Sequence, residues 1–106
     1  MIIVNTDFIA NNVIVETLGV VQGSTIRSKN IGKDILSGFR TIVGGELSEY
    51  TEMLTEARQI AVQRMVKVAE EMNADAIINL RFATSAVMQG AAEILAYGTA
   101  VKIEKK

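Results

Sequence analysis

The chain contains no cysteine, histidine, tryptophan or proline. Each absence removes a class of explanation. Without cysteine there is no disulfide framework, so stability has to come from packing. Without cysteine and histidine there is neither thiolate nor imidazole, the ligands that copper, zinc and cadmium favour. Nucleophilic catalysis of the usual kind also loses its base. A serine or threonine would have to be served by a lysine, an aspartate or a glutamate, and no pair of residues marks such an arrangement. With no proline-rich or charged break in 106 residues, a single domain spanning 1–106 is expected. The aromatic residues Phe8, Phe39, Tyr50, Phe82 and Tyr97 are scattered and offer no stacking platform for single-stranded bases.

Charge of one sign is lacking too. Twelve acidic and eleven basic residues leave a net charge of −1, and the one basic run is the terminal Lys105-Lys106. Nothing here neutralises a row of phosphates, so nucleic acid is not expected as a partner. The opening Met-Ile-Ile-Val-Asn has no basic region before its apolar run, which ends at Asn5; it reads as neither signal peptide nor anchor. No apolar stretch approaches the roughly 18 residues that span a bilayer. The expectation is a cytoplasmic protein with no membrane partner.

What is present is apolar. Hydrophobic residues make up 49% of the chain and charged residues 22%, a globular balance. A domain this small buries only about two thirds of the surface its unfolded chain exposes, so some apolar positions are left without an internal partner. That surplus favours association with copies of the same chain.

Residues 2 to 4 and 13 to 27 are rich in valine, isoleucine and threonine, with Asn11-Asn12 as a turn between them, a strand, turn, strand signal. Gly19 and Gly23 interrupt the second, long strand and mark a bulge, a bend or a close backbone approach. Asn30 suits the N-cap of a short helix carrying Ile31, Ile35, Phe39 and Ile42, ended by Gly44-Gly45. Free N–H groups at its start would suit an anion, as at any helix N-terminus. A longer helix is expected from Glu46–Ser48 to about Met72, with Leu47, Tyr50, Leu54, Ala57, Ala61, Met65, Val68 and Met72 forming an apolar stripe and Val62, Val66 and Ala69 widening it. Asn73 is its C-cap. A third strand follows from Asp75, with Ala76, Ile78, Leu80 and Phe82 on one face and Ile77, Asn79, Arg81 and Ala83 on the other. Thr84 to Gly90 reads as a connection. The last strand spans 92 to 103, where Ala92, Ala96, Gly98 and Ala100 leave room for a close neighbour. The order β-β-α-α-β-β predicts an α+β fold, an antiparallel sheet with its helices on one side.

Several blocks, Gly19-Val-Val-Gln-Gly23, Gly44-Gly45-Glu46, Tyr50 with Leu54, Ala57-Arg58, Met72-Asn-Ala-Asp-Ala-Ile-Ile-Asn-Leu-Arg81 and Gly98-Thr-Ala-Val101, occur in one order over essentially the whole chain. This combination resembles the YbjQ-like family of small bacterial proteins, which carries a heavy-metal-binding label. The resemblance implies a dodecin-type subunit, a curved antiparallel sheet around a helix, assembled as a homopentameric ring. It supplies no catalytic residues to carry over.

The metal label meets the missing soft ligands directly. Of the methionines, Met65 and Met72 fall on the helical core stripe, where packing accounts for them. Glu49, Glu52 and Glu56 line up on one helix face; they read as a solvated face, or alternatively as oxygen ligands for a calcium- or manganese-type ion. Gly23-Ser24-Thr25 matches neither a phosphate loop nor a dinucleotide turn, and no cofactor is expected. The unusual polar feature is Asn79 and Arg81 in mid-strand. Arg81 would pair with Glu16 or Glu93, within a subunit or across a boundary. These four residues are therefore interface or ligand candidates, lining a cavity between subunits for a small anionic or polar molecule. An enzyme using Arg81 with Glu16 or Glu93 is the remaining alternative, against the leading expectation of a non-enzymatic oligomeric module.

Overall fold

The structure, a computed structural model, describes residues 1–28 and 48–106, with side chains described over 1–28 and 51–106. The short helix expected at 30–42, its Asn30 cap, the Gly44-Gly45 stop, Glu46 and Leu47 lie outside the described residues. So do the side chains of Glu49 and Tyr50. The elements are β1 (Ile2–Ile3), β2 (Asn12–Ser28), α1 (Ser48–Glu71), β3 (Ala76–Met88) and β4 (Ala91–Lys105). The class is α+β, with one helix among the described residues on a four-stranded sheet ordered β1-β3-β4-β2.

The sheet is mixed, which corrects the expectation of a wholly antiparallel one. β4 pairs antiparallel with both β2 and β3, but β1 pairs parallel with β3. The turn at Asn11, with φ +63°, is real, yet it does not join a hairpin. The segment between β1 and β2 crosses the sheet and carries the two strands to opposite edges. Its apolar residues explain the path. Val4 and Ile9 pack with Ile14 and Ile103 against buried Ala76, Ile78 and Val101, covering part of the face that the helix leaves bare. The backbone follows β3 beyond β1: Val4 N–H donates to the Ile77 carbonyl, Leu80 N–H to Val4 and Asn79 N–H to Thr6, each at 3.0 Å.

The main core lies between α1 and the sheet. Ala57, Ala61, Met65 and Ala69 recur every four residues along the helix and bury against Val21, Ile77, Ile94, Ala96 and Ala100. Ala69 occupies the stripe where the spacing suggested Val68, and Val68 is exposed. The small residues of β4 do face the helix. At the helix end Asn73 adopts φ +60°, its N–H donating to Glu70 and that of Ala74 to Ala69, both at 3.0 Å. This is the paired 5→2 and 6→1 geometry of a Schellman motif with Asn in the left-handed position, and apolar Ala74 closes on the core.

Glycines set how closely the layers meet. A Cβ on Gly23 would collide with the Ala61 carbonyl oxygen and the Met65 amide nitrogen, so the helix backbone rests directly on β2. Gly19, with φ +137°, serves a bulge between Thr17 and Gly19, the second of two in β2. On β3 another bulge sets Asn79 and Leu80 opposite Gly98, between the pairs Ile78–Thr99 and Arg81–Tyr97. Asn79 takes φ +56°, a conformation asparagine tolerates better than most residues. The bulge reverses the alternation: Leu80 joins Ile77 in the helix-side core, while Ala76 and Ile78 belong to the other face. The uninterrupted period-two reading of β3 is therefore corrected at Asn79. The stretch Thr84–Met88, read as connection, is strand, and the turn is confined to Gln89-Gly90.

Candidate functional site

Arg81 and Asn79 hold the N-terminal segment in place. The Arg81 guanidinium is exposed, and its Nη1 donates to the carbonyls of Asn5 and Leu80, both at 2.9 Å. Asn79 contributes its backbone N–H to Thr6. Neither Glu16 nor Glu93 reaches this point within one chain. Arg81 stands opposite Tyr97 on β4, whereas Glu93 stands opposite Ser85, four residues or about 13 Å further along the strand. Glu16 faces Lys102, an opposite charge across the ladder, at the other end of the sheet. The expected Arg81–carboxylate pair is thus replaced, within the chain, by bonds to backbone carbonyls. The bulge at Asn79 creates those bonds by bringing residues 4–6 alongside.

One carboxylate of the acidic face of α1 is likewise engaged. Glu56 Oε1 accepts from Arg27 Nη2 at 2.9 Å, tying the helix to the end of β2. Nearby, Arg64 Nη1 donates to the Ser24 carbonyl at 2.6 Å. Glu52 is exposed. Among the described residues no three or more carboxylates gather as a cation site.

A groove that the sequence did not announce lies between α1 and β3. Thr55, Arg58, Gln59, Val62, Gln63 and Phe82 line a shallow space of about 430 Å3, largely open to solvent. Its origin is the seat at Gly23: the helix is centred over β2 and β4, and among the described residues nothing covers the outer half of β3. Val62 and Phe82 supply an apolar floor. Arg58 Nη2 donates to Thr55 Oγ1 at 3.2 Å, which holds the guanidinium at the rim. Such a groove suits a small molecule with an apolar body and an anionic or polar end. The same uncovered strand leaves Phe82, Val87 and Met88 exposed.

With this geometry in view, comparison with known proteins is informative. A family model described as YbjQ-like, "Putative heavy-metal-binding", matches residues 1–104. The chain belongs to this family. A UPF0145 protein of Clostridium novyi is 64% identical over 103 residues, covering 97% of this chain and 99% of the relative. One from Methanosarcina acetivorans is 64% identical over 103 residues, covering 97% of each. One from Fervidobacterium nodosum is 59% identical over 105 residues, covering 99% and 97%. The family thus extends across bacteria and archaea, wider than the bacterial range expected. A solved protein of unknown function from Pediococcus pentosaceus, of the DUF74 family, superposes with a TM-score of 0.61 at 19% identity, covering 98% of both chains. That likeness supports the fold.

The residues present do not fit the YbjQ-like family's heavy-metal description. The chain has no cysteine and no histidine, and the Glu56 carboxylate is committed to Arg27. No described helix is long and apolar enough to cross a membrane.

Proposed function

We propose that the protein is a non-enzymatic homo-oligomeric module, a ring, that binds a small ligand at the junctions between its subunits. The observation that carries this reading is the half-built groove beside Phe82. Five residues of α1 and Phe82 of β3 line it, and it is open where the outer edge of β3 beyond Arg81 has no neighbour among the described residues. Large apolar side chains stand in solvent on the same sheet, Val20 at 73%, Met88 at 65% and Ile26 at 61% exposed. The described residues of one chain leave this surface bare, and a second copy would both cover it and complete the groove. The family resemblance supports five subunits. The ligand class that fits is a small amphipathic anion, its charged end at Arg58 and its apolar part on Val62 and Phe82.

The test is native mass spectrometry on protein purified without a metal-loaded column. The expected result is an oligomer carrying extra mass of a small organic anion, lost in Arg58→Ala while the subunit number is kept. An oligomer of bare subunits from fresh lysate would contradict the ligand half of the reading. A monomer would contradict both halves.

A further inference from the structure

The groove between α1 and Phe82 has a charge and a shape that narrow what it can hold. Of its six lining residues only Arg58 is charged; the other polar ones, Thr55, Gln59 and Gln63, are neutral. The neighbouring cations are engaged elsewhere, Arg27 on the Glu56 carboxylate and Arg64 on the Ser24 carbonyl. Among the described residues Arg58 forms no ion pair, so the groove carries one uncompensated positive charge. That guanidinium is also held in place. The Thr55 hydroxyl donates to the Thr51 carbonyl one turn back at 2.8 Å, which commits its proton and leaves its oxygen to accept from Arg58 Nη2 at 3.2 Å. This uses one guanidinium N–H, and those that remain include a parallel pair of the kind that fits a carboxylate. Phe82 is 44% exposed and, among the described residues, stacks on no other ring. From Thr55 to Gln63 the helical wall is eight residues, or about 12 Å, long.

We propose that the groove takes a planar aromatic monocarboxylate, its carboxylate on Arg58 and its ring against Val62 and Phe82. This rests on the ligand half of the reading above and names the ligand's class. Three comparisons select that class. A phosphomonoester carries a charge between about −1.5 and −2 at neutral pH, and its second charge meets no second cation in this lining. A carboxylate matches the single guanidinium in charge and in planar geometry. An alkyl acid has the right charge but the wrong body. A shallow surface covers little of a ligand, so the rotors of a flexible chain are ordered for a small return, whereas a fused ring has none to order. The ring also gains offset or edge-to-face contact with Phe82 beyond the area it covers. A neutral arene would cover the same apolar surface and leave the Arg58 charge unpaired.

The experiment titrates isotope-labelled, full-length protein with 2-naphthoate, and in parallel with octanoate and 2-naphthyl phosphate, following the amide chemical shifts of Val62, Gln63 and Phe82. 2-Naphthoate is expected to move these amides with a Kd of about 0.1–1 mM, the scale of a small ligand on a shallow surface. Octanoate and 2-naphthyl phosphate are expected to bind about fivefold more weakly or less. Arg58→Gln is expected to weaken 2-naphthoate about tenfold, the loss of one charge-assisted contact. Phe82→Leu keeps the lining apolar and removes only the ring, so it is expected to erase most of the difference between 2-naphthoate and octanoate. Both positions are exposed, and the helical circular dichroism of each variant checks that it is folded. Octanoate bound as tightly as 2-naphthoate, both weakened by Arg58→Gln, would overturn the aromatic class and leave the groove as a site for amphipathic anions. Tighter binding of 2-naphthyl phosphate, weakened by the same change, would overturn the carboxylate and leave the groove reading intact. Shifts absent with all three anions, or unaffected by Arg58→Gln, would overturn both.

Discussion

Gly23 on β2 lies directly beneath the Ala61 carbonyl on α1, with no space for a side chain between strand and helix. This seat fixes the helix over β2 and β4, and with it the open groove beside β3. Gly23→Ala is expected to force the layers apart, at a cost of about 1–3 kcal/mol, the range of overpacking in a tight core. Thermal unfolding of wild type and variant measures it. An unchanged melting temperature would contradict the close approach.

Asn79 holds the bulge of β3 with a positive φ. Asn79→Gly is expected to be neutral within about 1 kcal/mol, whereas Asn79→Val should cost more, about 1–3 kcal/mol, since a β-branched residue resists that conformation. Denaturant unfolding of the two variants compares them. Equal stabilities would contradict a role for the backbone conformation.

Arg81 fastens residues 4–6 through the Asn5 carbonyl. Arg81→Ala is expected to speed amide exchange at Val4 and Asn79 several-fold while lowering global stability by about 1 kcal/mol or less, the net contribution typical of such a hydrogen bond. Hydrogen exchange resolved by residue reads this out. Exchange unchanged at those amides, with a large global loss, would show that Arg81 has a different partner.

Copper and zinc should not be retained by the purified protein. Equilibrium dialysis at micromolar metal, followed by elemental analysis, is expected to give far less than one ion per chain, because no thiolate or imidazole is present. Stoichiometric retention would show that oxygen and thioether ligands suffice and would restore the family's metal label for this chain.

Local features were legible in the sequence. The four-residue spacing of Ala57, Ala61 and Met65 identified the buried stripe of α1, Asn73 its end, and Ala96, Gly98 and Ala100 the strand face that admits a helix. Non-local ones were not. Nothing within residues 2–4 says that β1 pairs with β3 across the sheet rather than with β2 beside it in sequence. The reversal at Asn79 was hidden because period-two alternation looks unbroken when one extra residue is absorbed by a bulge; asparagine opposite a Gly98 that admits no Cβ is the trace it leaves. Thr84–Met88 was misread although its only turn signal is Gln89-Gly90. Of the candidate site, Asn79 and Arg81 stood out as polar residues in a strand, and their structural partners are backbone groups. The groove at Arg58 and Phe82 depends on where α1 sits, which a helical stripe alone does not specify.

The most direct test of self-association is the mass in solution. Sedimentation velocity over a hundredfold range of concentration is predicted to show one species at a fixed multiple of the 11.5 kDa chain, five copies for the ring the family resemblance supports. A single species at 11.5 kDa throughout would contradict the account, because the apolar surface that the described residues leave exposed would then need no second copy.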